Sequence, residues 1–137
     1  MATAGYSGTP LLKKLGIKES MKVQLVQAPD DYLQILQQDI RHQLTNGKPT
    51  PDLVHLFASS FREFEPAMKK LRPAIKANPN IVIWVSWYKK SAGIPTDLTE
   101  DVIRNWAVQN DLVDVKVCAV TELWSGLKLV VPVSKRK

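Results

Sequence analysis

Lys89, Lys90 and Ser91 are followed at short range by Gly93, Pro95, Thr96 and Asp97. The stretch Thr96 to Glu100 is dense in cap residues and first-turn acids, so these lysines sit on a flexible segment directly ahead of a helix start. Free helix amides and ammonium groups both favour negative charge. The chemistry expected of Lys89, Lys90, Ser91, Thr96 and Asp97 is therefore capture of a phosphate or carboxylate group. The segment is not a P-loop, because the glycine spacing is absent and the lysines precede the glycine. The competing reading is a solvated loop in which Asp97 satisfies the helix end by itself.

Other reactive residue types have less around them. His55 lies within an apolar run and His42 in a polar segment, with no histidine or cysteine at ligand spacing near either, so no zinc pattern exists and His55 reads as a hydrogen-bonded core residue. Ser59 and Ser60 follow the same run, but Ser60 is needed as a helix cap and no Gly-x-Ser-x-Gly elbow surrounds any serine. Cys118 is the only cysteine; its apolar neighbours predict a small buried hydrophobe, not a reactive thiolate. No catalytic residue is assigned.

Trp84 and Trp106 fall on apolar faces and are expected in the core, whereas Trp87 and Trp124 are expected to be partly exposed. Aromatic rings near lysines can stack unpaired bases, or else cap a sheet edge or bury a contact between copies of the chain. Of the formal charge of +6, none comes from the first half: there are seven basic and seven acidic residues through Met68, and twelve against six from Lys69. That balance admits polyanionic partners, nucleic acid included, although a solvated Lys-rich face and tail explain it as well.

The elements that would place these residues can be read along the chain. Thr9-Pro10 and Gly16 bracket a short leading helix. Met21 to Gln27 alternates as a first strand ending at Ala28-Pro29, and Asp30 is placed to cap a helix through Tyr32, Leu33, Ile35 and Leu36. Ile40 to Leu44 is a further, short strand. Leu53 to Ala58 and Ile81 to Trp87 have the continuous apolar pattern of strands covered on both faces. Between them, Ser60 and Glu63 open a helix whose apolar positions recur through Ile75. A helix with Leu98, Val102, Ile103, Trp106 and Ala107 on one face follows, then strands over Val113 to Val120 and Leu127 to Val133, close enough together for a hairpin.

An apolar fraction of 45% and a charged fraction of 23% are those of globular proteins, and the longest apolar stretch is far too short to cross a bilayer. The opening residues do not have the order of a signal peptide, so the expected location is cytoplasmic, with no membrane partner. Residues 1–137 are expected to form one domain, with 1–20 as a helical lead-in and 134–137 as a basic tail.

Several stretches are similar to those of a bacterial domain-of-unknown-function family whose chains are Rossmann-like and methyltransferase-like. They are Tyr6-Ser7-Gly8-Thr9-Pro10-Leu11, Lys14-Leu15-Gly16-Ile17, Asp52 to Phe57, Trp84 to Lys90, Thr96-Asp97-Leu98-Thr99, Leu112 to Val120 and Trp124-Ser125-Gly126-Leu127-Lys128. Tyr88, Ser20 and Asp111 depart from the family's pattern at turn positions. The resemblance implies a scaffold that in methyltransferases holds adenosylmethionine, through a glycine-rich first turn and an acid after the next strand. Here the first turn is Gln27-Ala28-Pro29-Asp30-Asp31, without glycine and with two acids, and Ile40 to Asn46 ends without an acid. Adenosylmethionine is therefore not expected as cofactor.

The expected architecture is α/β. It is a three-layer, Rossmann-like domain with a mostly parallel sheet of about six strands, a C-terminal antiparallel hairpin and helices on both faces. The expected function is that of a non-catalytic binding or interaction module with a degenerate methyltransferase-type cofactor site. The alternatives are an enzyme or binder acting on a nucleotide or other anionic small molecule at the Lys89-Lys90 loop, and a nucleic-acid binder using the basic C-terminal half. Self-association is compatible with each.

Overall fold

The computed structural model describes residues 10–136. Thr9, most of the first family-like stretch and Lys137 lie outside them. The two apolar runs form the centre of the sheet. β2 (Leu53–Phe57) is buried along its whole length, and β3 (Val82–Tyr88) is buried through Trp87 after its first residue. They pair in parallel, with His55 opposite Trp84. β1 (Val23–Val26) adds in parallel on the other side of β2, and the hairpin β4 (Val113–Ala119) with β5 (Trp124–Val130) completes the order β1-β2-β3-β5-β4. β5 is antiparallel to both β3 and β4.

Alternation along the central strands divides the interior in two. Val54, Leu56, Ile83 and Val85 meet α3 (Phe61–Lys70) and α5 (Glu100–Gln109) through Phe64, Met68, Ile103 and Trp106. Leu53, Phe57 and Trp84 point the other way, toward α1 (Leu11–Leu15) and α2 (Tyr32–Leu36), which contribute Leu15, Tyr32 and Leu36. The Trp84 indole pins α1 directly, its Nε1 donating to the Leu15 carbonyl at 2.8 Å. Gly126 makes room for that indole, since a Cβ there would come within 3.2 Å of Trp84 Cε3.

Four expectations are corrected. The sheet has five strands rather than six, because Ile40 to Leu44 is a 3-10 turn over Arg41–Gln43 followed by a single parallel bridge from Leu44 to Val23. Gln43 turns inward there, its amide donating to the Lys18 and Met21 carbonyls at 2.8 and 3.1 Å, which is incompatible with an extended run. Asp30 does not cap α2. The residue before the helix is Asp31, whose side chain makes no capping bond, and Tyr32 N donates to the Pro29 carbonyl at 3.0 Å. The helix after β2 does not run unbroken to Ile75 but stops at Leu71 and restarts as α4 (Arg72–Ala77), with Pro73 in the first turn of the new helix, where no N–H is needed. Trp87 is buried, 7% exposed, because it faces the α3/α5 side of the sheet.

β4 is the open edge. Val113, Val115 and Val117 are exposed, and the register slips by one residue between Asp114 and Lys116. Such a bulge twists an edge away from further pairing. Cys118, expected to be fully buried, is only partly so. Asp111 has φ 63°, so a left-handed turn that favours glycine is held here by an aspartate.

Candidate functional site

Because β1, β2 and β3 run in parallel, the loops after Gln27, Ala58 and Trp87 emerge along one edge of the sheet. Val23 is flanked by Leu53 on one side, so Leu44 must lie beyond β1, where Thr45 N donates to the Val23 carbonyl at 2.9 Å. The chain therefore leaves β1 over the α2 face and outward. It leaves β2 over the α3 face and toward β3. The gap between the ends of β1 and β2 is thus the topological switch point, where ligands of open α/β sheets bind.

Hydrogen bonds cross that gap, and a groove of about 430 Å3 lined by Gln27 and Glu63 remains beside it on the α3 face. Gln27, at φ 56°, turns the backbone away and sends its side-chain amide to the Phe57 carbonyl at 2.7 Å. The Ser59 N–H and hydroxyl both donate to the Glu63 carboxylate at 2.8 Å, which holds that carboxyl below its usual range. Ser60 Oγ accepts from Glu63 N, so half of the expected capping box forms while the return bond goes to Ser59. Asp97 does not satisfy the end of its own helix: it accepts from Phe61 N at 2.9 Å, at the start of α3, and Thr99 caps α5 by accepting from Val102 N. The Thr96 hydroxyl donates to the Ser59 carbonyl at 2.7 Å and accepts from Leu98 N. The amide donors that could have held an anion at α3 are thus directed at protein acceptors.

Past the end of β3 the same edge opens into a cleft of about 910 Å3 between the strand end and the start of α5. Lys89, Lys90, Ser91 and Thr96 line it, and Asp97 does not. Lys89 is half-buried and Lys90 exposed, and neither makes an ion pair among the described residues. The opposite wall carries Glu100 and Asp101, both bound to Arg104, with Asp101 Oδ1 at 2.8 Å. Arg104 reaches on to Asp114 at 3.1 Å, so one guanidinium is shared among three carboxylates. The spacing of Glu100, Asp101 and Arg104 along one helix would have shown this pairing in advance. Nothing in the sequence signals the floor provided by Trp87, or Ser125 from the neighbouring strand.

His55 takes the core role expected of it. Its Nδ1 lies 2.8 Å from Tyr32 Oη and its Nε2 lies 2.8 Å from Ser86 Oγ. Burial pushes its pKa down to about 3 and raises that of Tyr32 above its ordinary value. A serine beside a histidine has the order of a nucleophile and its base, but Ser86 and His55 are fully buried and no substrate reaches them. Among the described residues no group of three or more His, Cys, Asp or Glu side chains could hold a metal ion. No helix among them is long and apolar enough to cross a membrane.

No protein-family model matches the chain, and no curated protein does. Solved structures do. A protein in the NADB-Rossmann superfamily from Streptococcus agalactiae aligns with a TM-score of 0.55 and 13% identity, over 90% of this chain and 68% of that one. An uncharacterized protein from Listeria monocytogenes serotype 4b aligns with a TM-score of 0.58 and 9% identity, over 91% of this chain and 68% of that one. At such identities the likeness concerns fold alone. Strand order, paired helical layers and these neighbours together make the chain a Rossmann-like α/β protein.

Proposed function

We propose that the chain is a non-catalytic binding module in which a methyltransferase-type cofactor site has been given up and an adjacent cleft takes an anionic small molecule. The observation that carries this reading is the Gln27 amide on the Phe57 carbonyl, which occupies the mouth where the cofactor of such a scaffold would enter. The turn that follows, Ala28-Pro29-Asp30-Asp31, has no glycine to let the backbone approach a cofactor closely. The cleft beyond β3 offers Lys89 and Lys90, which have no ion-pair partners among the described residues, with the Trp87 indole in its lining. Ser91 supplies a hydroxyl, while Thr96 and Asp97 act through the bonds that hold the loop to α3.

Thermal-shift screening against adenosylmethionine, nucleotides and carboxylated metabolites tests both halves of the proposal, because a ligand bound only by the native state raises the melting temperature. The expected outcome is a rise with phosphorylated or carboxylated compounds that disappears in Lys89→Ala/Lys90→Ala, and none with adenosylmethionine. A rise with adenosylmethionine that survives this double substitution overturns it.

A further inference from the structure

The helices α1 and α2 cover one face of the sheet over β1, β2 and β3; Cys118 and Trp124 pack at the margin of that layer, and beyond them no described helix covers the β4–β5 part of this face. Pairing puts Val113, Lys116 and Cys118 of β4 and Trp124, Lys128 and Val130 of β5 on that open face, and none of the residues the two strands turn to it is acidic. Lys116 and Lys128 are directly opposite each other on adjacent strands. Like charges so placed destabilise a sheet, and neither lysine has an ion-pair partner among the described residues. Lys14 comes from α1 and Lys89 from the end of β3; burial raises the pKa of the Cys118 thiol, and the charges of Lys14, Lys116 and Lys89 act on it in the opposite direction.

At the carboxyl end of the same face Tyr88 and Trp124 stack with ring centroids 4.3 Å apart and planes 25° apart, both half-buried, with Trp124 edge-on to Phe57 beneath. A row of unpaired cations leading to a braced aromatic pair is complementary to a backbone of phosphates carrying unpaired bases. An anion from outside would relieve the charge repulsion between Lys116 and Lys128.

We infer that the open β4–β5 face binds single-stranded nucleic acid, with Lys14, Lys116 and Lys128 along the phosphates and the Tyr88–Trp124 pair against a base. Tyr88 and Lys89 border both this surface and the cleft that takes the small anion, whereas Lys14, Lys116, Lys128 and Trp124 belong to this surface alone.

The test is fluorescence anisotropy of labelled oligo(dT) and oligo(rU) across a salt series, for the wild-type chain and for Lys116→Gln/Lys128→Gln. The expected result is that the double substitution lowers affinity at least tenfold and flattens the log–log salt slope by about 1.4, the share of two phosphates on a single strand. Its melting temperature should equal or exceed that of the wild type, because a like-charge pair has been removed, which shows that the variant folds. Tyr88→Ala should weaken binding about tenfold without changing the salt slope, as loss of one stacked base would. Unchanged affinity in the lysine variant overturns the inference, as does wild-type binding to phosphatidylserine vesicles but not to either oligonucleotide. Loss of oligonucleotide binding with the small-anion response intact confirms that the two surfaces are distinct.

Discussion

Two neighbouring stretches of the same sheet edge use similar side chains to opposite ends. Where β1 and β2 finish, every polar group described above has a protein partner: Gln27 with Phe57, Ser59 with Glu63, Thr96 with Ser59, Asp97 with Phe61. Just beneath, Tyr32, His55 and Ser86 form a sealed polar chain. Where β3 finishes, Lys89 and Lys90 stand over an open cleft without ion pairs among the described residues. Groups that satisfy one another secure the fold. Cations that no described acid pairs with are available to something else, and the proposed binding beyond β3 rests on that contrast.

The sharpest way to break this contrast is His55→Leu, which strands two buried hydroxyls and should cost about 3 kcal/mol in urea unfolding, given the penalty for each unsatisfied group. A cost near zero would mean that the polar chain contributes nothing to the closed region. Acid titration of the wild type should follow in size. The folded pKa of His55 is about 3 against an ordinary 6.5, so between these values the unfolded chain takes up a proton that the folded chain refuses. Stability from this group is complete above pH 6.5 and is lost as pH falls toward 3. The loss should be about 2 kcal/mol between pH 6.5 and 5, and it should be absent in His55→Leu.

Asp97→Ala removes the acceptor at the start of α3 and should cost about 1 kcal/mol, the usual worth of a helix cap. If it also weakens anion binding, the tether is part of what shapes the cleft. Lys89→Ala/Lys90→Ala should leave stability within about 0.5 kcal/mol of the wild type while abolishing the ligand response. Substantial destabilisation by that pair would erase the distinction between the two stretches.

The central strands were legible because Leu53 to Ala58 and Ile81 to Trp87 are too uniformly apolar for anything but a doubly covered sheet, and the hairpin because its connection is short. Lys89 and Lys90 were placed at the sheet edge for the same reason, as they end such a strand. The partners were not legible. Phe57 is 30 residues from Gln27 and Phe61 is 36 from Asp97, so these bonds depend on strand register and helix docking rather than on any local spacing. Ile40 to Leu44 misled because five residues of mixed pattern do not separate a strand from a turn, and the inward reach of Gln43 decided the matter. Trp87 was misjudged from its neighbour Tyr88, although alternation sends the two rings to opposite faces of the sheet.

The bond from the Trp84 indole to the Leu15 carbonyl spans 69 residues and is the seat on which the leading helix rests. During synthesis that helix emerges long before its seat does. Five residues of helix are too few to persist alone in water, so the segment stays unclaimed until the third strand has joined the sheet. This helix is therefore among the last parts to settle, and a defect at Trp84 would be felt first as a loosened α1.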